Sequence, residues 1–465
     1  MKKQIFLHSA VPFTGDIYKR ITFEPVISKM SSEKSYEVLK LLDLFFIVLI
    51  AIYIFGFEYL PMQDYPNWLY QGFLFKEYLL YGDMLHGFFH FYPYIPPNTI
   101  STLIIGCLSV VVSPLLAGKI FLFFTALLLY FGIKSYLRLF IRSQIIFIPC
   151  VAFYLIFNLQ FLMGFINFSF GLGLGLLVIS YLVRNDLSVN RIMLSLLFLL
   201  VYLSHFFAFA IIPLFLVVYA LHTKKYRVIF SLVPAFLPVV ILFIEYYFTK
   251  TISDLPVFAD NDSISGQFHL ILHNIFSVII PFHHYKWLTE TGLVTKSGNY
   301  LFSFSVGIFF LYIFFRAWKK KVWTLTLRIS LTIIVLIAIM PHYLGGVMLP
   351  ASRLVLFFIL NIVALFFFER PSNLSRRISN IIVIALATAS FSHNLVNAYY
   401  FNKQMSLGVI PIDAIMEPKY EIEGTDGFMH LLFYHGIEHK EALRTFRSGL
   451  FTYPDEEKGD SFGNR

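Results

Sequence analysis

The stretch LLDLFFIVLIAIYIFGFEYLPMQDYPNW, residues 41–68, joins a long apolar run to a turn that contains a carboxylate. Its apolar part, residues 41–59, has about the 20 residues that a helix needs to cross a bilayer. We interpret it as an uncleaved first transmembrane helix, because no small-residue cleavage site follows it. Pro61 and Pro66 restrict the backbone after the run and predict a bent exit from that helix. We therefore expect Asp64 a few residues outside the membrane.

The composition of the whole chain is typical of a membrane protein. Of 465 residues, 58% are hydrophobic and 14% are charged, and the mean hydropathy is +0.73. A soluble protein has about 45–50% apolar and about 25% charged residues, so the composition excludes a soluble enzyme, a disordered regulator and a disulfide scaffold. The two cysteines, Cys107 and Cys150, lie in apolar runs without metal-ligand spacing. We attribute the formal charge of +9 to cytoplasmic loops and expect no nucleic-acid partner.

Eleven apolar runs predict an all-α polytopic membrane protein. The runs are 41–59, 115–137, 145–159, 163–183, 192–204, 206–221, 228–248, 300–316, 325–341, 353–369 and 378–398. We divide the stretch 192–221 at Ser204 and His205, because its 30 residues exceed one crossing and a polar pair interrupts it. Residues 99–113 are apolar but short, and we place them as a helix at the membrane surface. The glycines of residues 171–175 lie inside one run and predict close helix packing, not a phosphate-binding loop.

The distribution of Lys and Arg predicts the orientation of these spans. With the N-terminus inside, the inner segments hold 23 of the 36 Lys and Arg residues, and the outer segments before the C-terminal tail hold 6. Cytoplasmic loops have this excess of positive charge, so the sequence predicts an N-in, C-out topology. The predicted parts are a cytoplasmic segment (1–40), a transmembrane domain (41–398) and a small outer appendage (399–465). Two outer loops, 60–114 and 249–299, are long, and we expect interfacial helices in the first.

Asp64 is the candidate catalytic residue. A carboxylate at the membrane interface, partly desolvated among aromatic side chains, is suited to act as a general base on a hydroxyl. The alternative is that Asp64 caps a helix or is a solvated acid of the loop.

Several other polar residues are expected at the same outer depth as Asp64. Polar side chains are costly inside a bilayer, so they usually face a protein cavity or water, and a shared depth predicts a substrate-binding cleft. Arg353 could bind a lipid phosphate through paired hydrogen bonds, or it could be a snorkelling anchor. The alternative for the others is a role as turn and cap residues. The candidate substrate-binding residues are Asn67, His86, His90, Asn98, Gln160, Asn167, His205, His342 and Arg353.

Two sequence features could indicate a metal: histidine spacing, and Asp260 and Asp262, which flank Asn261 and are otherwise acids of a solvated loop. Three pairs, 86/90, 269/273 and 435/439, have the i,i+4 spacing that can bind a metal on a helix. None has the His-Glu-x-x-His form of a zinc protease. We assign no metal ligands, and a divalent metal is the one cofactor that the sequence leaves open.

The order of elements resembles the GT-C superfamily of integral-membrane glycosyltransferases: a first span, an outer loop that begins with a carboxylate, and surface helices. The resemblance covers about residues 41–370 as an architecture. The stretches that carry it are Asp64-Tyr-Pro-Asn67, Pro97-Asn98, Gly164-Phe165-Ile166-Asn167-Phe168 and Tyr202-Leu-Ser-His205. The resemblance implies a bacterial envelope enzyme that transfers a sugar from a polyprenyl-phosphate donor on the outer face, with Asp64 as the catalytic base.

The first functional hypothesis is therefore a glycosyltransferase in a bacterial cytoplasmic (inner) membrane, with its active site facing the periplasm. Its partners would be a lipid-linked sugar donor, a lipid or glycan acceptor and membrane lipids. The alternatives are a transporter or flippase, or a non-catalytic assembly partner, for lipid-linked envelope precursors. A glycan polymerase that relies on arginines in its large outer loop is disfavoured, because residues 249–299 contain no arginine.

Overall fold

A computed structural model describes most of the predicted transmembrane domain. The described residues are 32–62, 64–81, 90–91, 95–141, 146–249, parts of 308–319, 324–340, 343–344, 347–348, 350–368, 373–406 and 451–452. The predicted outer loop 249–299, most of the predicted span 300–316, nearly all of the N-terminal segment and most of the C-terminal appendage lie outside them.

These residues are mostly helical. The helices are α1 (Ser32–Phe55), α2 (Tyr65–Tyr81), α3 (Thr99–Ser109), α4 (Pro114–Leu137), α5 (Phe147–Ile156), α6 (Leu159–Leu162), α7 (Ile166–Arg184), α8 (Arg191–Ser204), α9 (Phe206–Thr223), α10 (Tyr226–Phe230), α11 (Val233–Thr249), α12 (Leu325–Ile339), α13 (Pro350–Phe368) and α14 (Asn373–Ser406). Two antiparallel pairs of two-residue strands accompany them. They join β1 (His90–Phe91) to β4 (Phe451–Thr452) and β2 (Tyr343–Leu344) to β3 (Val347–Met348).

Within the described part of the chain, five helices are long and apolar enough to cross a membrane. They are Glu37–Phe55, Pro114–Leu137, Ile166–Arg184, Phe206–Thr223 and Arg377–Lys403. Six further apolar helical stretches are shorter, with 10–17 residues, among them Pro350–Phe366 of α13. Helix α8, for example, has 14 residues, which corresponds to about 21 Å against a hydrocarbon core of about 30 Å. The fold is thus that of an all-α membrane protein, while eleven crossings and their orientation stay predictions.

The predicted break at Ser204 and His205 is confirmed. Helix α8 ends at Ser204 and α9 begins at Phe206, with His205 in an extended conformation between them (φ −168°, ψ 129°). The His205 Nδ1 accepts a hydrogen bond from the backbone N–H of Phe207 at 3.1 Å and so caps α9. The two helices predicted for the first outer loop are also present, as α2 and α3.

Close backbone contact brings α4 and α7 together, as the glycine pattern predicts. A Cβ added at Gly132 would lie only 2.4 Å from the carbonyl oxygen of Gly173. A Cβ added at Gly173 would lie 2.6 Å from the backbone nitrogen of Leu129. Any side chain at either position would therefore separate the helices, which is how small residues act in membrane helix pairs.

Helices α1 and α4 run antiparallel, and polar contacts join both of their ends. Lys119, near the start of α4, donates to the carbonyl of Phe57, just beyond α1. Lys134, near the end of α4, pairs with Asp43 of α1. These two lysines are separated by about 22 Å along the helix, so the contacts define two opposite ends of the bundle.

Further contacts between helices fall at one or the other of these ends. At the Lys134 end, the Arg184 guanidinium donates to the carbonyl of Ser135 at 3.3 Å. At the Lys119 end, the backbone N–H of Tyr59 donates to the Asn402 side chain of α14 at 3.0 Å. Contacts of this kind at both ends are expected when successive long helices alternate in direction along the chain. The loop that follows α1 and the last turn of α14 therefore lie at the same end.

Candidate functional site

Asp64 lies in the turn between α1 and α2, immediately before the first residue of α2. It is half-buried, and its backbone N–H donates to the carbonyl of Met163 at 2.8 Å. The turn at Met163 and Gly164 packs directly on it: a Cβ at Gly164 (φ +81°) would lie 2.9 Å from the Asp64 nitrogen and 2.5 Å from the Tyr65 nitrogen. A glycine is needed there both for the left-handed conformation and for the close approach.

Arg353 lies in the first turn of α13 and is 6% exposed. Its guanidinium carbon is 3.6 Å from the centre of the Phe165 ring, and its Nη1 donates to the Gln160 Oε1. Gln160 is itself held, because its Nε2 donates to the Ser352 carbonyl at 3.3 Å and to the Ser352 hydroxyl at 3.2 Å. A snorkelling anchor extends its charged head into water, whereas this guanidinium is enclosed by protein and oriented. The geometry therefore argues against the anchoring role, and the binding role of Arg353 stays a prediction.

His205 meets the same aromatic cluster from the α8–α9 break. Its ring packs edge-on against Phe168 at 5.2 Å between ring centres, and the Phe168 centre is 5.4 Å from the Arg353 guanidinium carbon. Because the His205 Nδ1 accepts a hydrogen bond from Phe207, the ring hydrogen of the neutral form is on Nε2. His205 is buried, and it offers a single N–H donor beside Arg353.

Residues 158–168 connect these groups. Asn158 begins this segment by capping α6, where its side chain accepts hydrogen bonds from the backbone N–H groups of Gln160 at 2.9 Å and Phe161 at 3.2 Å. The same segment then supplies Gln160 and Phe165 to Arg353, and the Met163–Gly164 turn to Asp64. Asp64 and Arg353, which are far apart in sequence, therefore pack on the same eleven-residue segment.

Asn167 and Asn98 join helix α3 to helix α7. The Asn167 Oδ1 accepts from the backbone N–H of Ser101 at 3.0 Å, and its Nδ2 donates to the Asn98 carbonyl at 3.0 Å and to the Ser101 hydroxyl at 2.7 Å. Asn98 is in the left-handed conformation (φ 76°) at the start of α3. These bonds give both residues a role in positioning α3, and their proposed contact with substrate stays a prediction.

Of the four remaining candidate residues, the structure describes the side chain of Asn67 only. Asn67 lies in the first turn of α2, and its Oδ1 is buried with no hydrogen-bond partner among the described residues. The side chains of His86, His90 and His342 lie outside the described part of the chain, and the backbone of His90 pairs with Thr452.

Sequence reasoning missed two kinds of residue at this site. Phe165 and Phe168 belong to the stretch Gly164-Phe165-Ile166-Asn167-Phe168, but the sequence predicts no role for their rings, which both lie beside Arg353. Trp68 was also missed, and its indole Nε1 is buried without a hydrogen-bond partner among the residues described. No periodicity in the sequence indicates which of the many aromatic residues face a polar group.

A metal site is not assembled by the described residues: no three His, Cys, Asp or Glu side chains lie together there. Comparison with known proteins adds no assignment, because no family model, curated protein or solved structure matches this chain. The class that the fold defines is a mostly helical membrane protein.

Proposed function

We propose that this protein is a membrane glycosyltransferase that moves a sugar from a polyprenyl-phosphate donor to a hydroxyl of a lipid or glycan acceptor on the outer face. The observation that supports it is the convergence of Asp64 and Arg353 on residues 158–168. A half-buried carboxylate and a buried, oriented guanidinium are the two charges that this reaction needs.

The proposed reaction is a direct displacement. Asp64 takes the proton of the acceptor hydroxyl, whose oxygen forms a bond to the anomeric carbon. The bond between that carbon and the phosphate oxygen breaks, and the electron pair leaves with the lipid phosphate. Arg353 stabilises the negative charge that develops on the departing phosphate, and the His205 Nε2–H is a second donor next to it. A single displacement inverts the anomeric centre.

The arrangement of the bundle supports an outer-face site. Asp64 and the Arg353 cluster lie at the Lys119 end, while Lys134, Arg184 and Arg328 lie in the segments with the excess of Lys and Arg. Such an excess indicates the cytoplasmic side. A site at the opposite end would face the periplasm in a bacterial inner membrane, where a lipid-linked donor can reach it from the bilayer.

One observation favours the alternative of a flippase or a non-catalytic assembly partner. Asp64 immediately precedes α2, where a carboxylate can cap the helix and need not act as a base. The Arg353 cluster alone could then hold a lipid phosphate without any chemistry.

Two substitutions at Asp64 separate these functions, because Asn caps a helix about as well as Asp but is not a base. Envelope glycans and lipids would be compared by mass spectrometry in a deletion strain that carries wild type, Asp64→Asn, Asp64→Ala or Glu77→Gln at equal expression. Glu77 is the matched control, since it is an acid of α2 that pairs with Lys76 at 3.0 Å.

If Asp64 is the base, both Asp64 variants lose a defined sugar while Asp64→Asn keeps the thermal stability of wild type, and Glu77→Gln restores the sugar. A wild-type glycan profile with Asp64→Asn would refute catalysis by Asp64 and favour the non-catalytic alternative.

A further inference from the structure

A second cluster of polar groups lies at the opposite end of the bundle from Arg353. Helix α9 ends there at Thr223 and α12 begins there at Leu325, and these two helices pack together. His222 is in the last turn of α9 and Arg328 is in the first turn of α12. Both residues therefore lie where the end of α9 packs against the start of α12.

Both side chains carry a buried polar atom without a partner. The His222 Nδ1 and the Arg328 Nε make no hydrogen bond among the described residues, and no ion pair of Arg328 occurs there. A buried donor that stays unsatisfied costs free energy, and a charged one costs more. Two such groups at one contact between helix ends indicate that a ligand with acceptor oxygens completes the cluster.

The charge around the cluster specifies an anion. Lys224 and Lys225 follow His222 directly, and Arg316 with Lys319–Lys321 precede α12 in the sequence. Lys225 is neutralised by Asp186, which leaves a net positive surrounding. This is the end that the Lys and Arg distribution assigns to the cytoplasmic side.

We propose that the cleft between the end of α9 and the start of α12 binds the phosphate of an anionic phospholipid of the inner leaflet. Arg328 donates through its guanidinium, with Nε–H as one donor, and His222 donates from Nδ1 in the tautomer that carries a hydrogen there. Basic clefts between transmembrane helices on the cytoplasmic side bind lipid head groups in this way. A phospholipid is favoured over a free anion because helix ends lie at head-group depth, where lipid phosphate is abundant. The inference does not depend on the proposed glycosyl transfer.

The test uses the full-length protein in detergent and measures bound lipid by native mass spectrometry. Phosphatidylglycerol is titrated against phosphatidylcholine of the same acyl chains, which has a phosphate but no net charge. Variants Arg328→Gln and His222→Gln are compared with Arg227→Gln, an exposed basic residue of α10 at the same end. Inorganic phosphate and a polyprenyl phosphate serve as competitors.

The expected result is a preference of wild type for phosphatidylglycerol that falls about tenfold with Arg328→Gln, since a hydrogen bond to a charged group contributes about that much to affinity. His222→Gln should lower it less, and Arg227→Gln should leave it unchanged. Equal binding of the two lipids by wild type would overturn the proposal. This measurement uses the wild-type protein alone, so it does not depend on whether the variants fold. Displacement of the lipid by millimolar inorganic phosphate, or selective displacement by the polyprenyl phosphate, would also overturn it, because the site would then serve a free anion or the lipid carrier.

Discussion

The ion pair between Asp43 and Lys134 should be a main stabiliser of the contact between α1 and α4. The Lys134 side chain is 6% exposed and the Asp43 side chain 18%. Tyr130, one turn before Lys134, donates its hydroxyl hydrogen to the Asp43 Oδ1 at 2.6 Å. The lysine ammonium also lies 5.7 Å from the centre of the Tyr130 ring. Lys134→Met and Asp43→Asn each remove one charge and leave the other buried.

The magnitude follows from what each change leaves behind. Breaking a buried ion pair by removing one partner costs about 3–5 kcal/mol, because an uncompensated charge remains. Removing both charges lowers the free energy of unfolding by less than removing one of them, because no unpaired charge then remains buried. We therefore expect each single variant to lower the free energy of unfolding by about 3 kcal/mol or more. The double variant should cost no more than either single variant, so it should fall short of the sum of the two by about 3 kcal/mol, at the upper end of the coupling found for residues in direct contact.

The assay is reversible unfolding of the purified protein in mixed micelles, followed for wild type, both single variants and the double variant. The matched control is the pair of Glu37 and Lys40 on the same helix, which is exposed and separated by 3.4 Å. Exposed pairs contribute about 0–1 kcal/mol, so its variants should be near neutral. The reasoning would be refuted if the losses of unfolding free energy in the two single variants simply added in the double variant. It would also be refuted if each single variant lost as little as the variants of the control pair.

Two further changes test the packing of α4 and the orientation of Arg353. Gly132→Ala should destabilise the protein by about 1–3 kcal/mol, because its Cβ would clash with the Gly173 backbone. Gly175→Ala is the control and should be neutral or stabilising in the same unfolding assay, because the nearest atom to its Cβ would be 3.6 Å away. The predicted helix contact would be contradicted if Gly175→Ala were the more destabilising of the two. Gln160→Ala should weaken retention of a polyprenyl phosphate about tenfold by native mass spectrometry, because it removes a hydrogen bond that orients the Arg353 guanidinium. Unchanged retention would show that Arg353 does not need this hydrogen bond to bind the phosphate.

The sequence predicted where most of the described helices lie, although the predicted span 145–159 holds a helix of only 10 residues and the predicted span 228–248 is divided between α10 and α11. Their lengths follow from apolar runs, and the break before Phe206 follows from a polar pair inside a run that is too long for one crossing. The surface helix near residues 99–113 was predicted from its shortness, and α3 occupies Thr99–Ser109. Such features are local, so a single sequence contains them.

The pairing of polar groups could not be predicted. Gln160 and Arg353 were each assigned to the site, but their mutual hydrogen bond depends on how α6 and α13 pack, which periodicity does not specify. The residue type and predicted depth of Asn167 suggest that it binds substrate. In the structure, however, its side-chain amide is hydrogen-bonded to Ser101 and Asn98. Which polar group faces a neighbour and which faces a cleft is set by tertiary contacts.

The contacts at the Lys119 end bear on how many times the chain crosses the membrane. His90 and Phe91, in the loop after α1, pair with Thr452 and Phe451 of the tail. Paired strands must lie on one side of a bilayer, because a ladder cannot form across it. An even number of crossings must therefore separate residue 91 from residue 451. The ten spans predicted after the first loop satisfy this condition, and they would not if α3 were an additional crossing. If those ten spans are correct, the strand pair requires that α3 does not cross the membrane, and both the span count and the surface placement of α3 stay predictions.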